Sequence, residues 1–313
     1  MQQTKQQFIM ITGPTGVGKS ELATLLAQEV NGEIVNADIG QFYAPFAVGT
    51  AKPDWRNESV PHHLFDICNA PENYTVAQYR TLVLNTMNEL WSRGATPILV
   101  GGSGFYLRSL LWPPLSPPTQ QPLSQERLPR TWQALNAIDP ERARVISPHD
   151  PYRIDRALTI WEQTGIKPSS LQPVYEPPAP FRLIILSRDR QDLYQRINER
   201  TLVMLKTGWI EEVERVRGTT WEQFLRDKGL IGYDDVLSYL EGAVSHDTMV
   251  GSIQQKTRHY AKRQETYMRM LIRSLLQEEG FAAPCGITRV NLTLLDHGLY
   301  ISQLIKQIST GFM

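Results

Sequence analysis

A glycine-rich segment near the start of the chain has the spacing of a phosphate-binding loop. It follows the apolar run Phe8 to Thr12 and fits the pattern G-x-x-x-x-G-K-[ST]. Glycines let consecutive backbone N–H groups curl around phosphate oxygens, and the helix that follows points its positive end at them. We predict that this loop binds a di- or triphosphate; its residues are Gly13, Pro14, Thr15, Gly16, Val17, Gly18, Lys19 and Ser20.

Three side chains are candidates for catalysis. Lys19 would bring a positive charge to the phosphates, and Ser20 would offer a hydroxyl to Mg²⁺. Asp38 follows the second apolar strand, and ligands of open parallel sheets bind beyond the carboxyl ends of the strands. Asp38 could therefore be a magnesium ligand, directly or through water, or a general base, although an aspartate at such a position is often a helix N-cap. Nucleotide kinases, NTPases and enzymes that expel pyrophosphate all fit this motif.

The elements around these residues alternate between apolar, strand-like runs and segments of helical periodicity. This alternation is typical of a parallel sheet with helices on both faces. The best strand candidates are Phe8 to Thr12, Glu33 to Ala37, Pro97 to Val100 and Phe181 to Ser187.

Proline clusters at 113–122 and 168–180 bracket a stretch of helical pattern from Ser124 to Gly165. We predict an α/β P-loop core of residues 1–112 and 181–313, and a small helical insertion domain of residues 113–180. The alternative is that the proline-rich segments are ordinary long loops.

Composition limits the class of protein without selecting a reaction. The 32 basic and 32 acidic residues give a net charge of zero, so any nucleic-acid binding must come from a local patch. Cys68 and Cys285 are far apart, which argues against a zinc site or a disulfide framework. His62 and His63 are adjacent and would point to opposite sides of an extended segment, which favours structural roles over metal binding. The cysteine usage favours a reducing compartment, and with no signal-peptide pattern and no apolar run of about 18 residues we expect no membrane span. We also expect a monomer.

The last third of the chain carries a basic stripe. Between Lys256 and Arg273 there are six basic residues and one acidic residue. At helical spacing, one narrow face would hold Arg258, Lys262, Arg269 and Arg273. Such a face can neutralise successive phosphates of a nucleic-acid backbone. The alternative is a solvated face with intrahelical pairs, for which few acidic partners are present.

Seven segments, in order along the chain, resemble those of the tRNA dimethylallyltransferases, also called tRNA isopentenyltransferases or IPP transferases. The segments are Gly13 to Ser20, Asn36 to Asp38 with Gln41 and Tyr43, Val48 to Pro53, Pro61 to Ile67, Val100 to Arg108, Gly232-Tyr233 and Tyr260 to Gln264. Each alone is modest, but the collinear set is highly specific. The resemblance implies transfer of a dimethylallyl group from dimethylallyl diphosphate to N6 of the adenosine 3′ to the tRNA anticodon, with Mg²⁺, in the cytoplasm.

The resemblance also implies roles for individual residues. Asp38 would take a proton from the exocyclic amine of adenine, which is a poor nucleophile because its lone pair is delocalised into the ring. Together with the basic stripe, the resemblance gives the residues expected to contact tRNA: Asp38, Ile39, Gly40, Gln41, Ser103, Arg108, Tyr152, Arg153, Ile154, Asp155, Arg156, Arg258 and Lys262.

Four positions depart from the family's pattern. A serine usually follows the aspartate, a basic residue usually follows the tyrosine, an asparagine usually begins an Asn-Asp pair, and a basic residue usually follows Gly-Tyr. The residues at these positions here are Ile39, Ala44, His149 and Asp234. Two cationic contacts are therefore lost.

Three other functions share part of this pattern. An isopentenyltransferase acting on free adenine nucleotide would use the same loop and base without the basic stripe. A nucleotide kinase or NTPase would need a further strand ending in a magnesium-binding acid, whereas Pro97 to Val100 is followed by glycines. The non-enzymatic alternative is a diverged RNA-binding protein that kept the fold.

Overall fold

The computed structural model describes residues 6–114, 127–281 and 286–293, and residues 302, 303, 305, 306 and 308. Pro117, Pro118, Pro122 and Cys285 lie outside these residues. The chain forms two compact units, one of residues 1–111 and 177–313 and the other of residues 112–176.

One parallel sheet forms the centre of the first unit. Within the described residues its strands are β1 (Phe8–Thr12), β2 (Gly32–Asn36), β3 (His62–His63), β4 (Thr96–Val100), β5 (Phe181–Ser187) and β6 (Gly286–Asn291). Their order in the sheet is β3-β2-β4-β1-β5-β6. The predicted α/β class and all four predicted strands are confirmed, with bounds shifted by at most one residue; β3 and β6 were not predicted.

The central strands are mostly apolar because helices cover the sheet. Every residue of β1 and β2 is buried, as expected for parallel strands enclosed on both faces. In β1, Ile9 is paired with Ile98 on one side and with Arg182 on the other. The loop after β1 therefore leaves the sheet near its middle.

Eight helices of the described residues belong to this unit. They are α1 (Lys19–Glu29), α2 (Val76–Ser92), α3 (Gly104–Leu111), α7 (Arg190–Lys206), α8 (Trp209–Glu214), α9 (Thr220–Lys228), α10 (Tyr233–Leu240) and α11 (His246–Leu275). Thr75 and Gln78 form a capping box at the start of α2. No helix in the described part of the chain has the length and apolar character needed to cross a bilayer.

The second unit is helical in its described part. It contains α4 (Trp132–Ile138), α5 (Pro140–Arg144) and α6 (Pro151–Thr164), and the last two begin with proline, which is favoured in a first helical turn. Its core consists of Leu135, Ala143, Ile146, Ile154, Ala157 and Leu158. The unit spans residues 112–176, whereas the sequence placed the insertion at 113–180.

The adjacent histidines help to join β3 to β2. His63 Nε2 lies 2.6 Å from Glu33 Oε2, and Arg93 also pairs with this carboxylate. His62 Nδ1 lies 2.8 Å from the carbonyl oxygen of Val60. Both histidines have structural partners, as their spacing predicted.

Candidate active site

The loop after β1 wraps around the amine of Lys19. Lys19 begins α1, and its Nζ donates to the carbonyl oxygens of Gly13 and Pro14, each at 3.0 Å. Gly18 precedes the helix with φ 108°, in the left-handed region that favours glycine. The first N–H groups of an α-helix have no intrahelical partner. This end of α1 is therefore suited to bind an anion.

Arginines from after β5 and from α7 hold the outer side of this loop. Arg188 Nε donates to the carbonyl oxygen of Val17 at 2.9 Å, and Arg196 Nε donates to that of Gly16 at 3.1 Å. Arg200 follows one helical turn later and lines the same cavity as Arg196. Sequence reasoning missed Arg196 and Arg200, although their i, i+4 spacing after a predicted strand was a usable signal.

Asp38 caps a short helix and also lines the cavity next to the phosphate loop. It is the N-cap of a short 3₁₀ helix, Ile39–Phe42, where its Oδ1 accepts from the N–H of Gly40 at 3.2 Å. Its own N–H donates to Asn36 Oδ1 at 2.8 Å. The capping alternative is therefore correct, and the carboxylate also lines the cavity that the phosphate loop lines.

Burial changes the acidity of both catalytic candidates. It raises the pKa of Asp38, and the positive charge of Lys19 opposes this rise. It lowers the pKa of Lys19 to about 8, and the charge of Asp38 opposes this fall. A carboxylate with a raised pKa in a cleft has the character of a general base.

Two cavities of different character meet at Asp38 and Arg200. A polar cavity of about 500 Å³ is lined by the phosphate loop and by α7. The second cavity, about 230 Å³, is called the apolar chamber here; its walls include Met204, Trp209 and Ile253. An anionic group in the first cavity and an apolar group in the second would meet beside the Asp38 carboxylate.

Gln264 of α11 connects the phosphate loop to the segment after β4. Its Oε1 accepts from the N–H of Thr15 at 2.8 Å, and its Nε2 donates to the carbonyl oxygen of Gly102 at 3.0 Å. A Cβ on Gly102 would lie 2.1 Å from Nε2, so a larger residue there would displace the Gln264 amide. Tyr260, one turn earlier, lies close to the side chains of Gln264 and Ser103 and lines the apolar chamber.

The other predicted tRNA contacts of this unit are divided between structural and exposed positions. Gln41 Nε2 donates to the carbonyl oxygens of Thr50 and Ala51, both at 3.2 Å. Ile39 and Gly40 line the apolar chamber, and Arg108 lies in the last turn of α3. On α11, Arg258 donates to Asn198 Oδ1 at 2.6 Å, whereas Lys262 is exposed.

The five predicted contacts of the second unit all lie in the first half of α6. Tyr152, Arg153 and Arg156 are exposed. Asp155 pairs with Arg130 Nε at 2.8 Å. The prediction for Ile154 is wrong, because this side chain is 2% exposed and packs in the core of the unit.

Ser20 and Asp38 offer oxygen atoms to a metal ion. Both residues line the polar cavity, and hydroxyl and carboxylate oxygens are ligands that Mg²⁺ accepts. The described residues contain no cluster of three or more His, Cys, Asp or Glu side chains that could hold a metal. This donor set fits an ion that takes its remaining ligands from phosphates and water.

Comparison with known proteins identifies the family of the chain. The sequence model of the family described as IPP transferase matches residues 41–271. The chain belongs to the IPP transferase family. Relatives include the tRNA dimethylallyltransferase of Syntrophomonas wolfei, 37% identical with 83% of this chain and 87% of that protein covered. The tRNA dimethylallyltransferase of Lacticaseibacillus paracasei is 39% identical, with 86% of this chain and 90% of that protein covered.

Solved structures of the family share the fold. The tRNA isopentenylpyrophosphate transferase of Bacillus halodurans has a TM-score of 0.71 and 29% identity, with 98% of this chain and 97% of that chain covered. A eukaryotic dimethylallyltransferase acting on tRNA has a TM-score of 0.81 and 26% identity, with 98% and 79% covered.

Proposed function

We propose that this chain transfers a dimethylallyl group from dimethylallyl diphosphate to N6 of the adenosine 3′ to the anticodon of tRNA, releasing diphosphate. The observation that carries the proposal is the junction of a polar, phosphate-loop cavity with an apolar chamber at Asp38. The two cavities suit the two ends of the donor, and the carboxylate, which lines both, would lie beside the acceptor nitrogen. Membership of the IPP transferase family supports the same reaction.

The phosphate loop would bind the diphosphate and stabilise the negative charge that grows as it leaves. Backbone N–H groups at the start of α1 and the Lys19 amine can stabilise that charge, and Arg200 adds a second cation. Ser20 would hold Mg²⁺, with Asp38 contributing through water. A bound magnesium ion supplies further neutralisation of the diphosphate.

Asp38 would accept the proton that N6 loses as the new carbon–nitrogen bond forms. The adenine must leave its stack to reach the chamber. The apolar walls would hold the prenyl group and exclude water, which would otherwise compete with N6 for the reactive carbon. The exposed cations of α11 and α6 would bind the tRNA backbone, in the cytoplasm, with the protein acting as a monomer.

A single-turnover assay with radiolabelled dimethylallyl diphosphate and Mg²⁺ tests the proposal. Purified protein is incubated with tRNA that has adenosine 3′ to the anticodon, with AMP, or with ATP alone, each at two salt concentrations. We expect label in tRNA, less of it at high salt, no label in AMP and no ATP hydrolysis. Label in AMP alone would identify a free-nucleotide isopentenyltransferase, and bound but unlabelled tRNA would identify a non-catalytic RNA-binding protein.

A further inference from the structure

A third cavity adjoins the active site, at the loop between α9 and α10. Gly229, Leu230 and Ile231 contribute to the walls of both the apolar chamber and this cavity, whose volume is about 270 Å³. Its other walls come from the start of α10 and from α11. Among its lining residues, Asp234, Asp235 and His259 take no part in the proposed transfer reaction.

Asp234 is the unexplained group in this cavity. Its Oδ1 atom is buried and, among the described residues, has no hydrogen-bond partner. The neighbouring Asp235 is fully paired: both of its carboxylate oxygens accept from Lys256 Nζ at 2.8 Å, and Oδ1 also accepts from Ser252 Oγ at 2.6 Å. The nearest amine is thus engaged by Asp235, and burial raises the pKa of Asp234.

The chemistry of the cavity limits what it can bind. A carboxylate accepts hydrogen bonds and repels phosphate, so Asp234 calls for a ligand with N–H or O–H donors. His259 and Arg263 are exposed on the α11 side of the same cavity and suit an anion. A nucleotide combines both features, since its base carries amino or imino N–H groups and its backbone carries phosphate. Proteins read single-stranded RNA by hydrogen bonds to such base edges.

We propose that this cavity is a second nucleobase pocket, in which Asp234 accepts from the amino or imino edge of a nucleotide close to the modified adenosine. The proposal rests on the proposed function, because the shared wall with the apolar chamber places the two bases near each other on one RNA.

The test compares anticodon stem–loop RNAs that differ by single amino groups. Each nucleotide within two positions of the modified adenosine is replaced in turn by an analogue that lacks its exocyclic amine or ring N–H. For wild-type protein we expect one position at which the replacement lowers kcat/KM about tenfold. Asp234→Ala should lose about the same factor with the unmodified RNA and nothing further with the replaced one, since the two changes remove one contact. Asp234→Asn keeps an acceptor oxygen and should lose less.

Asp247→Asn is the matched control, because Asp247 is an exposed acidic residue near the start of α11 outside the cavity. It should leave the discrimination unchanged. Equal losses for every RNA in the Asp234 variants, or tighter binding without a change in discrimination, would overturn the proposal. If the wild-type protein transfers no label to any RNA, the proposed function fails, and equilibrium binding of the same RNA set still tests the pocket.

Discussion

Asp38 and Lys19 place opposite charges near the junction of the two cavities, where Arg200 adds a second cation. Each charge lowers the cost of burying the other: Lys19 opposes the rise in the pKa of Asp38, and Asp38 opposes the fall in that of Lys19. A diphosphate in the polar cavity would add negative charge beside Lys19 and Arg200, so binding of the donor should keep Lys19 protonated.

The two roles of Asp38 can be separated by substitution. Asp38→Asn keeps an oxygen that can cap the 3₁₀ helix through the N–H of Gly40 but removes the base. We expect turnover to fall by about 10²-fold or more while dimethylallyl diphosphate and tRNA bind nearly normally. Single-turnover rates and equilibrium binding measure the two quantities. A normal turnover rate in Asp38→Asn with a defect in Asp38→Ala would show that the residue only caps the helix.

The pH dependence should reflect the same pair of residues. As the pH rises through the pKa of Lys19, about 8, the amine loses its charge and the diphosphate its partner, so kcat/KM should decline. On the acid side, kcat/KM should rise with pH until Asp38, whose pKa is raised, is ionised. Lys19→Arg tests the assignment, because guanidinium stays charged beyond about pH 12. Its residual activity should decline only at a higher pH than in the wild type; an unchanged alkaline limb would exclude Lys19 as its cause.

At the scale of elements, α8 is held to the segment 46–50 by one buried carboxylate. Glu212 is 1% exposed and accepts from the N–H groups of Ala47 and Val48, at 2.6 and 2.7 Å through Oε2. Its Oε1 accepts from the N–H of Gly49 at 3.0 Å and from the hydroxyl of Tyr233 at 2.8 Å. Gly49 lines the apolar chamber, so this carboxylate fixes part of its wall.

Glu212→Gln should therefore destabilise the protein. The amide offers one acceptor oxygen, and its NH₂ group would face backbone N–H donors, which leaves buried groups unpaired. We expect the free energy of unfolding to fall by about 2 kcal/mol, measured by denaturant titration. Glu211→Gln is the control, since Glu211 is adjacent and exposed and its substitution should have little effect. Equal stability of the two variants would contradict this role.

The long helix α11 reaches the phosphate loop through Gln264. Gln264→Leu removes the acceptor for the N–H of Thr15 and the donor to the carbonyl oxygen of Gly102. Because the loop would lose its fixed position, we expect KM for dimethylallyl diphosphate to rise about tenfold. Steady-state kinetics with varied donor measure this change. Gln255→Leu, at an exposed position of the same helix, should behave as wild type, and an unchanged KM in Gln264→Leu would refute the link.

These elements differ in how far the sequence could predict them. β1 and the phosphate loop were predictable because each carries a local pattern that needs no tertiary partner. β3 is two residues long and has no periodicity to detect, and β6 is a short strand that follows the long helix α11. Glu212 and Gln264 bind backbone groups more than 160 residues away, and neither has a local signal. Ile154 was misassigned because a motif match does not distinguish the buried residue of a helix from its exposed neighbours.

At the scale of the whole molecule, a chain with no net charge must bind RNA through local surfaces. The predicted basic face of α11 is smaller than its sequence suggested, because Arg258 donates a hydrogen bond to Asn198. Lys262, Arg269 and Arg273 are exposed and are the cations left to contact phosphates.

Neutralising these cations should weaken tRNA binding without changing its sequence preference. For Lys262→Gln and Arg269→Gln, each variant should reduce the slope of log affinity against log salt by about one. Arg217→Gln, which removes an exposed cation paired with Glu214 outside α11, should leave the slope unchanged. Filter binding over a salt series distinguishes the two results, and equal slopes in all variants would exclude α11 as the RNA-binding face.

The order of the strands also has a consequence for synthesis of the chain. β1 is synthesised first but pairs with β5, and β5 is complete only when Ser187 has been added. Gln264, which contacts the phosphate loop, is added much later. Until then the nascent chain carries an apolar strand with one unpaired edge, the kind of segment that aggregates or is bound by chaperones. The phosphate loop therefore gains its final shape only after most of the protein has left the ribosome, and fragments that end before α11 should be inactive.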